Sequence, residues 1–254
     1  MSGAGRATPE WTVDAPVAER HLLVVLPHPD DESFSSGGTI AMHRDAGVPV
    51  TYLCGTYGDM GRNMGVPFFA HRETLRDVRE RELREACRIL DCDVRFLGLR
   101  DKTVEFEDLD AVAEDVADVV RALDADLVIG FYPGYGVHPD HDALGEATRR
   151  AVARIEAARR PRHWAVAVGH REAIEAALGV ADVRVDVRAW SDRKRAALEA
   201  HATQTKAMFA RMERRADEDE AQRLRMEEAK RTERFYTLSA EPSSTRTRTP
   251  ERMQ

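Results

Sequence analysis

Cysteine is scarce in this chain: Cys54, Cys87 and Cys92 are the three thiols among 254 residues. Three thiols in a chain this long make no disulfide framework. Cys87 and Cys92 are too far apart for a CxxC zinc or redox pair, so the thiols read as buried or half-buried groups in a reducing cytoplasm. No apolar run approaches the ~20 residues of a spanning helix. The first twenty residues carry Glu10, Asp14 and Glu19 without an apolar central segment, which argues against a secretory signal. Basic charge is not in excess, since the formal net charge is −7, and a nucleic-acid surface finds no support. No G-x-G-x-x-G follows the first strand signal, which argues against a dinucleotide site. Internal repeats are absent.

What is present is alternation. Apolar runs at His21–Pro27, Val48–Cys54, Val94–Leu97, Asp126–Phe131, Trp164–Val168 and Val183–Val187 read as strands. Between them, helical spacing marks Ser36–Ala46, His71–Leu90, Leu109–Leu123, Asp140–Ala158 and Arg171–Leu178. Strands alternating with helices argue for a Rossmann-like, mostly parallel sheet flanked by helices. The length suits one large domain with a substantial core. Residues 21–238 are expected to form it, after an N-terminal extension over 1–20. From Ser191 to about Arg231 the chain is charged and helix-forming, and reads as solvated helices packed by a narrow stripe, a partner-binding or lid segment being the alternative. Residues 239–254, rich in Ser, Thr, Pro and Arg, read as a disordered tail.

Two polar clusters end two of the apolar runs. Leu22-Leu23-Val24-Val25-Leu26 leads into Pro27-His28-Pro29-Asp30-Asp31-Glu32, and Leu127-Val128-Ile129-Gly130-Phe131 precedes His138-Pro139-Asp140-His141. A continuously apolar run reads as a strand covered on both faces, and open α/β sheets place ligands at the carboxyl ends of such strands. Taken singly, each cluster has a plain reading: a turn with a capping Asp, or Asp140 as a helix N-cap. Together they can converge on one divalent metal. His28 and Asp31 chelate from one turn and His141 adds a third ligand, a set that suits catalytic zinc and equally ferrous iron. A bound metal lowers the pKa of its water. Asp30, beside Asp31, is then placed as general base and later as general acid, and His138 can donate to a developing oxyanion.

The first cluster resembles the AHPDDE signature of the LmbE/PIG-L family of metal-dependent N-acetylglucosaminyl deacetylases, with Pro27 in place of Ala. The second matches that family's HPDH signature in full. Gly37-Gly38-Thr39-Ile40 is similar to the family's glycine pair, and Thr56-Tyr57-Gly58-Asp59-Met60-Gly61 to its TxGExG loop with Asp for Glu. Arg79, Glu82, Leu83, Ala86 and Leu90 resemble its RxxELxxAxxxL helix, and Leu97 to Asp101 its short loop ending in Asp. Lys194 to Gln204 and Glu233-Arg234-Phe235 resemble its late KxxAxxxHxSQ and ExF segments.

The resemblance implies His28, Asp31 and His141 as metal ligands, Asp30 as acid–base and His138 as oxyanion partner. It further implies Asp101, Arg79 and His201 on the substrate side, with Arg79 and His201 open to structural readings, and Glu32 as an outer carboxylate that orients a ligand. The expected protein is a cytoplasmic, zinc-dependent (or iron-dependent) hydrolase. It removes acetyl from a GlcNAc-type small molecule, an N-acyl amino sugar, with neither nucleic acid nor a membrane span involved. An amidase acting on a larger sugar or thiol conjugate is the alternative, shaped by a flap over Gly61–Phe69. A non-catalytic metal-binding interaction protein is the alternative from another class. Oligomeric state stays open, a homo-oligomer included.

Overall fold

The computed structural model describes residues 12–13 and 19–239. The expected tail, apart from residue 239, and most of the expected N-terminal extension lie outside the described residues. One eight-stranded sheet organises the rest, in the order β1-β7-β8-β6-β5-β2-β3-β4. The strands are β1 (Thr12–Val13), β2 (Leu22–Leu26), β3 (Val50–Thr56), β4 (Asp93–Leu99), β5 (Leu127–Phe131), β6 (Arg162–Val166), β7 (Val183–Asp186) and β8 (Thr232–Thr237). All neighbours pair parallel except β8, which runs antiparallel to both β6 and β7.

Every residue of β2 and of β5 is buried, as continuous apolar runs in a doubly covered sheet require. The two-residue period divides β2 between two cores. Leu22, Val24 and Leu26 pack with residues of α1 (Asp31–Asp45), α2 (Leu75–Leu90) and α6 (Ser191–Ala200). Leu23 and Val25 pack with residues of α3 (Leu109–Leu123) and α4 (Pro139–Arg154) on the other face. Helices α5 (Arg171–Leu178), α7 (Ala202–Glu218) and α8 (Glu220–Arg231) complete the set. No described helix is long and apolar enough to cross a membrane.

The six expected strands, with ends displaced by up to two residues, and the five expected helices all occur, and three helix ends shift further. Helix α1 starts at Asp31, not Ser36, because the chain turns sharply at Asp30 and the acidic pair Asp31 and Glu32 favours the positive helix N-terminus. Helix α2 starts four residues late, after a turn closed by the Thr74 hydroxyl on His71 N–H. Helix α4 stops at Arg154, where Ile155 turns extended and buries its side chain in the core. Strand β8, not among the expected strands, follows directly on the charged stretch and fills the gap between β6 and β7.

Gly38 shows how closely the layers meet. A Cβ there would lie 2.4 Å from Cβ of Val187, so the glycine lets α1 approach the segment after β7. From β2 the chain crosses to β3 on one side, while β5 leads to β6 on the other. The crevice between the carboxyl ends of β2 and β5 is therefore the topological switch point where α/β sheets bind ligands.

Candidate metal and acid–base centre

Both polar clusters open into that crevice. The rim loop after β2 is held carbonyl by carbonyl. Pro27 O accepts from the Thr56 amide at 2.8 Å and the Thr56 hydroxyl at 2.9 Å. His28 O accepts from the Tyr52 hydroxyl at 2.6 Å, and Pro29 O from the Arg79 guanidinium. So restrained, Asp30 adopts φ 114°, outside the range most L-residues occupy, and the chain reverses into α1.

Three acceptor atoms meet beyond this turn. His28 Nδ1 lies 3.3 Å from Asp31 Oδ2 and 3.1 Å from His141 Nε2, and the last two atoms are 3.4 Å apart. Tetrahedral zinc with bonds of about 2.0–2.2 Å separates its ligand atoms by about 3.3–3.6 Å. The outer atoms of both rings are already committed. His141 Nδ1 bonds Gly136 O at 2.9 Å, and His28 Nε2 bonds Asp140 Oδ2 at 3.1 Å with Asp101 Oδ1 at 3.4 Å. Each outer contact holds the proton on the outer nitrogen and turns the other lone pair inward. Two lone pairs and a carboxylate facing one another need a cation between them, so the donor set fits a divalent metal. Without metal the cation is a proton. Burial opposes charging His28, but Asp101, Asp140 and Asp31 outweigh it and hold its pKa well above the usual histidine value.

Asp30 and His138 stand beside this triangle. The Asp30 carboxylate is 3.1 Å from Arg79 Nη2, and its amide donates to Glu32 Oε2 at 3.0 Å. Burial pushes the Asp30 carboxyl up to about 6, against the pull of Arg79 and with the push of Asp31. His138 caps α4, its Nδ1 accepting from the Asp140 amide at 3.1 Å, so Nε2 carries the proton of the neutral ring. Burial, helped by the charge on His28, holds its pKa below the usual value, and its ring centroid is 5.0 Å from that of His28.

The three residues expected on the substrate side each bond other parts of the protein. Arg79 is buried, bonding Pro29 O, Asp30 and, at 2.9 Å, Gly58 O. A Cβ at Gly58, whose φ is +63°, would lie 2.2 Å from that guanidinium, so glycine is needed in the loop. Asp101 is buried and accepts from the Met60 amide at 2.6 Å while facing His28. His201, fully buried, bonds Glu32 Oε1 at 2.8 Å, and the same carboxylate takes the Ser33 hydroxyl. It lies under the site as a strut for Glu32, which in turn holds the Asp30 amide.

Asp140 does more than its sequence suggested. Its carboxylate does not cap the helix; it accepts from Lys102 N at 2.7 Å and Val104 N at 3.2 Å as well as from His28, tying the segments after β2 and β4 to α4. Its place between the two histidines of the second cluster was the available signal, since side chains one and two residues apart point differently from the first turn of a helix. Glu233 makes a second such junction. It accepts from Gly38 N, Thr39 N, the Thr39 hydroxyl and Lys194 Nζ, joining β8 to α1 and α6.

A cavity of about 910 Å³ opens on Asp31 and His141 and extends to Arg171, Glu228, Arg234 and Tyr236. The site thus has room beside the triangle for more than an acetyl group.

Comparison with known proteins agrees with this architecture. The sequence profile of the PIG-L family, described as GlcNAc-PI de-N-acetylase, matches residues 23–152. The "Probable N-acetyl-alpha-D-glucosaminyl L-malate deacetylase 2" of Bacillus subtilis is 48% identical over 203 residues, covering 80% of this chain and 91% of that protein. The 1D-myo-inositol 2-acetamido-2-deoxy-alpha-D-glucopyranoside deacetylase of Acidothermus cellulolyticus is 36% identical over 236 residues, covering 73% of this chain and 80% of its own. Among solved structures, N,N'-diacetylchitobiose deacetylase from Pyrococcus horikoshii superposes with a TM-score of 0.67 at 21% identity, covering 88% of this chain and 85% of that one, a likeness of fold. With its profile match, its relatives and its two signature clusters at one crevice, the chain belongs to the PIG-L (LmbE-like) family.

Proposed function

We propose that this protein is a zinc-dependent deacetylase that hydrolyses the acetamide of an N-acetylglucosaminyl conjugate. The observation that carries the reading is the convergence of His28 Nδ1, Asp31 Oδ2 and His141 Nε2 within 3.1–3.4 Å of one another, with Asp30 and His138 beside them. The named activities of the relatives, deacetylation of glucosaminyl malate and inositol conjugates, support it. His28, Asp31 and His141 would hold the metal. Ferrous iron suits the same ligand types. Bound there, the metal supplies Lewis-acid polarisation of the acetyl carbonyl and acidifies water.

The chain's own groups do the proton work. Asp30, poised near neutral pH, takes a proton from the attacking water as its oxygen adds to the acetyl carbon. The Nε2–H of His138 donates to the carbonyl oxygen as negative charge grows there. Asp30 returns its proton to the sugar nitrogen as the C–N bond breaks, leaving acetate and a free amine. Arg79 aims the Asp30 carboxylate, and Asp140 and Asp101 aim the His28 ring. Arg79, Asp101 and His201 therefore position the site and do not contact the sugar.

The test is amine release from GlcNAc conjugates of malate, inositol and a second sugar by metal-loaded protein, with a chelated control. Chelator-sensitive release supports the reading. No release despite stoichiometric metal sinks it, in favour of an amidase for larger conjugates or a non-catalytic metal protein.

A further inference from the structure

The cavity that opens on Asp31 and His141 ends in an unusual charge arrangement. Arg171, first residue of α5, donates from Nη1 to Glu228 Oε1 at 2.8 Å, and Arg234, on β8, donates from Nη2 to the same oxygen. Two guanidiniums from different elements thus converge on one carboxylate oxygen supplied by α8. All three residues line the cavity. Arg234 Nε is buried and has no hydrogen-bond partner among the described residues, so this guanidinium has donor capacity that Glu228 does not use. The side chains of Arg171 and Glu228 are 47% and 42% exposed, and an ion pair that wet holds little net energy. An incoming carboxylate can exchange for Glu228 at small cost.

We propose that Arg171 and Arg234 form the subsite for a carboxylate on the aglycone of the substrate, and that Glu228 occupies it in the free protein as an internal stand-in. The inference rests on the deacetylase reading and deepens it, selecting an acidic aglycone over a neutral polyol. A carboxylate is favoured because Glu228 already accepts from both guanidiniums and Arg171 Nε donates to a second carboxylate, Glu175 Oε1, at 2.8 Å. Binding there would hold the conjugate by its far end while the acetamide lies at the triangle, in the one cavity both share.

The experiment measures kcat/KM of metal-loaded protein for two matched conjugates, GlcNAc-malate and GlcNAc-inositol, and takes their ratio. Wild type should favour the malate conjugate. In R171Q/R234Q the ratio should fall by about 10- to 100-fold, mostly through KM, as expected for lost charge-assisted hydrogen bonds. In Glu228→Gln the ratio should rise, because the internal competitor has lost its charge. If the three residues merely latch α8 to the sheet, the variants change both substrates together and the ratio stays put, which overturns the proposal. A preference of wild type for the inositol conjugate overturns it too. Should the double variant not fold, R171Q alone and Glu228→Gln carry the test. Absence of turnover on both conjugates by wild type is a different result, the failure of the deacetylase reading itself.

Discussion

Arg79 Nη2 sits 3.1 Å from Asp30 Oδ2 while the same guanidinium holds Pro29 O and Gly58 O. One buried cation thus fixes both the backbone and the carboxylate of a residue at φ 114°. It also works against the burial that lifts the Asp30 carboxyl to about 6. Asp30 is kept ionised near neutral pH yet remains basic enough to take a proton.

Removing that cation has a signed consequence. In Arg79→Gln the protonated form of Asp30 is favoured, its pKa rises, and the acidic limb of the kcat/KM profile moves to higher pH. Turnover at the optimum should also fall by about 10- to 100-fold as the carboxylate loses its aim. In Arg79→Lys the limb should return part of the way, because charge is restored without the fork. A pH–rate series on the three proteins checks this, and an unmoved limb in Arg79→Gln would detach Arg79 from the acid–base group.

Asp140 should govern metal affinity without touching the metal. It fixes the His28 ring through Nε2 and is itself held by Lys102 and Val104 amides. Asp140→Ala is expected to weaken metal binding by about 10- to 100-fold. Competition against a chromophoric chelator reads this directly. Wild-type affinity in the variant would leave Asp101 as the partner that matters.

The third prediction concerns stability. His163, on β6, is buried, and its Nε2 has no partner among the described residues. Burial, with a smaller push from Arg149, lowers its pKa from 6.5 to about 4. Between those values the unfolded chain binds a proton that the folded protein refuses. The stability from a neutral His163 is therefore complete above pH 6.5 and is lost as pH falls toward 4. The slope is at most about 1.4 kcal/mol per pH unit for one proton. Metal-free His163→Phe should show a flatter decline of Tm with acid across this window than metal-free wild type. Parallel curves would assign the acid sensitivity to other groups.

How far the sequence could be read follows from the range of each interaction. The two polar clusters were legible because one follows an apolar strand at once and the other lies a short loop beyond another, a local pattern. The triangle also needs β2 and β5 to be neighbours, which alternation alone does not imply, since β3 and β4 lie between them in sequence. Strand β8 was illegible because Thr232–Thr237 follows a charged helix, and its pairing with β6 and β7 spans roughly fifty to seventy residues. Arg79, Asp101 and His201 carried the right residue types for substrate contacts. Only the folded chain reveals that Gly58 O, Met60 N and Glu32 are their partners. The start of α1 was hidden by Ser36, Gly37 and Gly38, whose glycines serve helix packing and not a helix boundary.

The most direct test is Asp30→Asn, assayed for acetate release from a GlcNAc conjugate that wild type cleaves, with metal content measured on the same sample. Asp30 bonds none of the three converging donor atoms, so the variant should bind metal as wild type does while turnover falls by about 10²- to 10⁴-fold, the usual worth of a placed acid–base group. Full metal with undiminished acetate release would contradict the assignment of proton transfer to Asp30, and with it the account of how this site works.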